Sequence, residues 1–292
     1  MKLIKKSVSV LLSFVMVISL FTIIPFEASA ETNGNYVDRT WDAESKSVAS
    51  ETKAIPADAI RYEGQRDPEG GKWYYIDGIL NKSERVNLTG DMNLVLCDGS
   101  KLTFENGINV PEGVTLTVYG GEQGTGELVA STDVATERYA AIGGGKKQNG
   151  GSVIIKGGKV TASSSYGAAA IGGGGGDYFH LKGNVEIYGG IVTAKAGKYG
   201  AGIGAAYYGN ADGNISIYGG TVTATGGEYG AGIGGGEGGD LNGSVNIYGG
   251  NVTATGGDYA SGIGGGQEWR GKGGSQNGAV NISGGVVTAK GG

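Results

Sequence analysis

A repeated phrase limits what this chain can fold into. Val153-Ile154-Ile155-Lys156-Gly157-Gly158 returns from Val185, Ile215, Val245 and Val280, at intervals of 32, 30, 30 and 35 residues. Each copy is followed by a Val-Thr-Ala phrase, beginning at Val160, Val192, Val222, Val252 and Val287. A third phrase, Tyr-Gly-Ala-Gly-Ile-Gly, runs from Tyr199 to Gly204 and from Tyr229 to Gly234. It recurs with changes from Tyr259 to Gly264, and irregular relatives begin at Tyr139 and Tyr166. Three short extended phrases in about 30 residues give three faces per turn of a solenoid. Alternation assigns the faces: in Val245-Asn246-Ile247 the two aliphatics point to one side and Asn246 to the other. Val185, Ile215, Val245 and Val280 then stack as one interior ladder. The fold class this implies is all-β, a right-handed parallel β-helix with one coil per repeat.

Composition removes the competing explanations. Residues 143–292 hold 50 of the 63 glycines and no proline. Collagen needs glycine at every third position and abundant proline. A flexible glycine-rich linker would not carry β-branched residues at alternate positions. No stretch shows the 3.6-residue period of a helix-containing repeat. Most of the glycine falls at the ends of the phrases, where corners need positive φ or close backbone approach.

The remaining segments divide the chain. Residues 1–30 resemble a secretory signal peptide: Lys2, Lys5 and Lys6, an apolar stretch from Val8 to Phe26, then the Ala28-Ser29-Ala30 cleavage pattern. This places the mature protein outside the cell, secreted or associated with the cell wall. Residues 31–72 are polar and aperiodic and read as a disordered linker. Residues 73–152 read as irregular N-terminal coils, and 153–292 as regular repeats that stop in mid-repeat. The expectation is that the sequence is a fragment with further C-terminal domains, or that a partner caps the last coil.

The phrases Val-x-Ile-Tyr-Gly-Gly-x-Val-Thr-Ala and Ala-Gly-Ile-Gly-Gly-Gly follow Leu94-Val95-Leu96-Cys97-Asp98-Gly99. Together they resemble a family of secreted bacterial β-helix proteins of the cell surface, often classed as carbohydrate-binding domain proteins. The resemblance spans residues 73–292 and rests on a structural repeat. It implies a β-helix and, in some members, binding of plant polysaccharide with bound calcium. The calcium ligands do not carry over, because no matching acidic constellation is present.

Net charge is −5, and no basic patch is visible, which argues against nucleic acid and against an anionic membrane surface as partners. Beyond the leader no apolar segment is long enough to span a bilayer. A single cysteine, Cys97, excludes an intramolecular disulfide framework and reads as a small apolar packing residue. Candidate carbohydrate-binding residues are two tyrosine columns, Tyr188, Tyr218 and Tyr248, and Tyr199, Tyr229 and Tyr259. Repeated once per coil, they form either a flat platform for sugar rings or corner stacks that brace the solenoid. Asp177, Asp212 and Asp240 lie in glycine-rich loops and are candidate calcium ligands; one carboxylate per loop is few for a cation that takes six or more oxygens. No other cofactor is indicated. The outward Thr161, Thr193, Thr223, Thr253 and Thr288 form a regular array, but Lys195 and Lys290 interrupt the neighbouring column and argue against ice recognition. Acids in the repeats are scattered, and His180 reads as a loop residue, so the sequence favours a non-catalytic module that binds polysaccharide or mediates adhesion. The alternatives are a structural spacer and a polysaccharide lyase or hydrolase.

Overall fold

The structure, a computed structural model, describes residues 34–132, 138–175, 179–267 and 273–292. The leader and Asp177 lie outside the described residues. The repeat folds as a right-handed parallel β-helix of eight coils. The first sheet takes one strand from each coil: Lys72–Ile76, Met92–Leu96, Thr115–Gly120, Ser152–Ile155, Val185–Ile187, Ile215–Ile217, Val245–Ile247 and Val280–Ile282. The second takes Ile79–Lys82 through Val286–Lys290, and the third, of two-residue strands, runs from Val86–Asn87 to Ile263–Gly264. Among the described residues every strand pairing between successive coils is parallel and in register.

The register follows from the period-2 pattern. Val185, Ile215, Val245 and Val280 are direct partners, as are Val192, Val222, Val252 and Val287 on the second sheet. Ile171, Ile203, Ile233 and Ile263 form the third interior column. A slip of one residue would turn every aliphatic to solvent, so burial fixes the alignment. Leu102 and Phe104 sit where later coils place Val and Ala, and Tyr62 packs edge-on against Phe104 and Tyr74 to plug the N-terminal end.

Two glycine columns are forced. Gly143, Gly172, Gly204, Gly234 and Gly264 hold φ between 135° and 144°. A Cβ on any of the first four would collide with the carbonyl oxygen of the next glycine in the column. Gly158, Gly190, Gly220, Gly250 and Gly285 turn the first corner at φ 77° to 88°.

The described part of residues 31–72 is not a disordered linker. It forms β1 (Asn35–Asp42) and β2 (Ser47–Ala54), an antiparallel hairpin, followed by β3 (Ile60–Arg61), which pairs with the first-sheet strand of coil 1. The hairpin is polar because most of it faces solvent, and polarity alone had suggested disorder. Its order comes from tertiary anchors. Val37 pairs with Gly120 of coil 3, Asp38 and Arg39 bind Lys156 of coil 4, and Trp41 reaches coils 6 and 7. The strand therefore runs along the solenoid, crossing successive coils.

Candidate functional site

One position, the last but one of the first three first-sheet strands and the residue just after each later one, forms a column. It reads Tyr75, Val95, Tyr119, then Lys156, Tyr188, Tyr218, Tyr248 and Ser283. From Lys156 onward each donates its backbone N–H to the strand of the preceding coil, which holds the column in line. Tyr188 and Tyr218 stack with centroids 4.5 Å apart and planes 17° apart; Tyr218 and Tyr248 stack at 4.9 Å and 4°. Parallel rings at this spacing must lie face over face, because rings tiled side by side need more room than one coil provides. The column therefore shows its ring edges to the outside and keeps its faces for itself. It is a brace, and a flat platform of several ring faces is not what it presents.

β1 uses this column as a track. Tyr36 packs against Trp73 and Tyr119 at 5.2 and 4.9 Å. Asp38 pairs with Lys156 at 2.6 Å and with Lys53 at 2.8 Å, so the lysine of the column meets an acid of the strand. Burial pushes the Asp38 carboxyl upward, but hydrogen bonds and charge from Lys156 and Lys53 outweigh it and hold it below the ordinary carboxylate value. Arg39 donates to the Lys156 carbonyl. Trp41 lies across the outer edges of Tyr218 and Tyr248 at 5.3 and 5.1 Å, tilted 36° and 37°.

The column changes at coil 8. In coil 8 a serine, Ser283, stands where coils 5 to 7 carry tyrosine, so among the described residues no ring of the column covers the far face of Tyr248. The result is a cleft of about 620 Å³ lined by Trp41, Ala43, Lys46, Tyr248, Ser283 and Gly284. Asp42 accepts the N–H groups of Glu44 and Ser45, which shapes the hairpin turn, and Lys46 completes it at φ 51°. Trp41 and Lys46 were not singled out from sequence. The available signal was a β-favouring run, Tyr36 to Trp41, followed by an Asp-initiated turn.

The second column is more exposed. Tyr199 and Tyr229 stack at 5.9 Å, Tyr229 and Tyr259 at 5.2 Å, and Tyr166 meets Tyr199 edge-on. Lys198 sits over Tyr199 and Tyr229 and pairs with Glu228 at 3.4 Å. These rings too are stacked across coils, and Tyr259 is 52% exposed.

Asp212 and Asp240 turn toward protein donors, in two neighbouring columns of one corner on either side of the Leu181, Ala211 and Leu241 bridges. Asp212 accepts from Lys182 at 2.7 Å and from Asn242 at 2.7 Å, with His180 at 3.4 Å. Burial raises its pKa, and the Lys182 and Asn242 bonds with the Lys182 and His180 charges reverse the shift to a lowered one. Asp240 caps the backbone N–H of Ser275. It belongs to a column in which each side chain accepts the N–H one coil on: Asn149 from His180, His180 Nδ1 from Asn210, Asn210 from Asp240. His180 is thus an acceptor in a structural ladder. Among the described residues no three His, Cys, Asp or Glu side chains converge as a metal-holding group. Cys97 packs beside the Tyr36, Val95 and Tyr119 cluster, and burial pushes its thiol up to about 11.

The fold and these ladders define the class: a solenoid of stacked β-helix coils. A family model described as a β-helix repeat matches residues 153–175, 185–207, 215–237, 245–267 and 280–292. No curated protein and no solved structure matches the chain.

Proposed function

We propose that this β-helix is a non-catalytic glycan-binding module of the cell exterior, and that the cleft beneath the hairpin turn holds the sugar. The observation that carries the reading is the interruption of the tyrosine column at Ser283. It leaves an aromatic face, Tyr248, beside the Trp41 indole, with the Lys46 ammonium and the Ser283 hydroxyl at the rim. Sugar rings offer one apolar C–H face and a belt of hydroxyls, and this pairing of an aromatic wall with a few polar groups suits both. A non-catalytic role is supported by what the acids do: Asp38, Glu127, Asp212 and Glu228 pair with lysines, and Glu186 accepts from the Tyr188 hydroxyl.

Retention on insoluble polysaccharides tests it. Ser283→Tyr extends the stack by one ring and closes the cleft, at the loss of only the long Ser283 Oγ bond to the Ile247 carbonyl, 3.5 Å. Retention by the parent protein, lost in Ser283→Tyr and in Lys46→Ala with unchanged melting, is the expected result. Retention that survives Ser283→Tyr would move the site elsewhere, and no retention on any glycan would favour a structural spacer. Release of reducing or unsaturated sugars would establish an enzyme.

A further inference from the structure

β1 runs across coils that repeat, and the groups it touches repeat with them. The first corner presents Gly157, Gly189, Gly219, Gly249 and Gly284, one per coil, and the column beside it presents Tyr188, Tyr218 and Tyr248. Two residues of strand span about 6.7 Å and one and a half coils about 7.2 Å, so the two spacings nearly coincide. The contacts follow that match. Val37 pairs with Gly120 of coil 3, Arg39 lies against Gly157 and Gly189 of coils 4 and 5, and Val48, the β2 partner of Trp41, lies against Gly219 of coil 6. A slip of two residues keeps every side chain on its own face and trades most of these contacts for similar ones a coil or two away.

One group breaks the repeat. From coil 3 to coil 8 the column reads Tyr119, Lys156, Tyr188, Tyr218, Tyr248 and Ser283, and only Lys156 carries charge. It meets Asp38 at 2.6 Å, with side chains 16% and 15% exposed. The other charged groups around Asp38 do not tie the hairpin to a coil. Lys53, at 2.8 Å, and Glu51, which pairs with Lys53 at 3.2 Å, both belong to β2 and move with β1. Arg39 donates to the Lys156 carbonyl, a backbone acceptor that each coil repeats. Tyr36 meets Trp73 and Tyr119, and ring contacts of that kind recur at Tyr188. A slipped hairpin would leave the enclosed Lys156 ammonium without its carboxylate, a loss that ring and backbone contacts do not replace.

We infer that Lys156 is the index of the column: paired with Asp38, it selects one register of β1 and so sets where Trp41 comes to rest, over Tyr218 and Tyr248 two and three coils further on. A charge pair can act as a key here because its partner is unique along the column, whereas aromatic and backbone contacts repeat. Trp41, Ala43 and Lys46 form the hairpin wall of the cleft, and Tyr248, Ser283 and Gly284 form the coil wall. The cleft therefore takes its shape only in the indexed register. Asp38 and Lys156 line no part of it and are positioning residues. Their effect on sugar binding rests on the glycan reading of the cleft; the register itself does not.

Fluorine NMR of the full chain labelled with 5-fluorotryptophan tests the index without any glycan. The chain has three tryptophans, and the resonance lost in Trp41→Phe is that of Trp41. One Trp41 resonance is expected in the parent. Lys156→Tyr makes the column uniform and adds a ring to the stack; its Trp41 resonance is expected to split or shift while the coils melt as before. Asp38→Asn, on the hairpin side of the pair, is expected to do the same, and Lys156→Arg, which keeps the charge, to retain the parent resonance. An unmoved single resonance in Lys156→Tyr and Asp38→Asn would overturn the proposal. So would a Trp41 signal at its denatured-chain position in these variants, which marks a hairpin that detaches instead of slipping. On an insoluble polysaccharide that retains the parent, two or three equally populated registers lower retention about two- to threefold, because one alone is competent. Undiminished retention with a displaced Trp41 signal would leave the index standing and sink the glycan reading of the cleft.

Discussion

His180 shows how little a residue type says before its position is known. A single histidine in a β-helix invites a catalytic or metal reading. Its Nδ1 instead accepts the Asn210 N–H at 3.0 Å, in a column otherwise built from Asn149, Asn210 and Asp240. The useful property is an acceptor one coil below a backbone donor, and an amide oxygen supplies that equally well. His180→Asn is therefore expected to leave stability within about 0.5 kcal/mol, while His180→Ala strands the Asn210 N–H and costs about 1–3 kcal/mol. Chemical denaturation of the two variants checks the pair; equal losses would refute the ladder role. The tyrosines teach the same lesson. Their period was legible in the sequence, but ring orientation was not, because the coil spacing that forces face-to-face stacking belongs to the assembled stack.

At the level of the element, the hairpin is an added clasp. β1 crosses the coils along a column whose one lysine, Lys156, meets Asp38. The native Asp38 carboxyl titrates below its ordinary value of about 4. Its contribution is thus fully present above pH 4 and is lost as pH falls through the lower native value. Amide exchange of β1 is expected to accelerate below about pH 4 while exchange in the interior strands stays slow. In Asp38→Asn the exchange of β1 should be faster at neutral pH and should lose the acid step. An identical acid step in that variant would assign the effect to other carboxylates. The sequence hid this element for a physical reason: strand propensity in Tyr36 to Trp41 is weak evidence against so polar a background, and the stabilising contacts come from residues up to 207 positions away, as between Trp41 and Tyr248.

Across the whole molecule, stability is a sum over stacked coils, each contributing its interior side chains to one continuous core. The inward Ile247 is fully buried, whereas Thr253 in the same coil faces outward. Ile247→Ala should cost about 2–5 kcal/mol and Thr253→Ala within about 0.5 kcal/mol, measured by denaturant unfolding; comparable losses would contradict the assigned faces. The sequence by itself determined this core. A period near 30 with three alternating phrases fixes coil length, sheet number, register and the inward set, because hydrophobic burial and the two-residue strand period leave one consistent alignment. The N-terminal clasp and the serine in the aromatic column beside Trp41 took their meaning only from the tertiary structure. Each joins residues far apart in the chain that become neighbours only when coils stack, and local pattern carries no record of which distant side chain will fill, or leave open, the next place in a column.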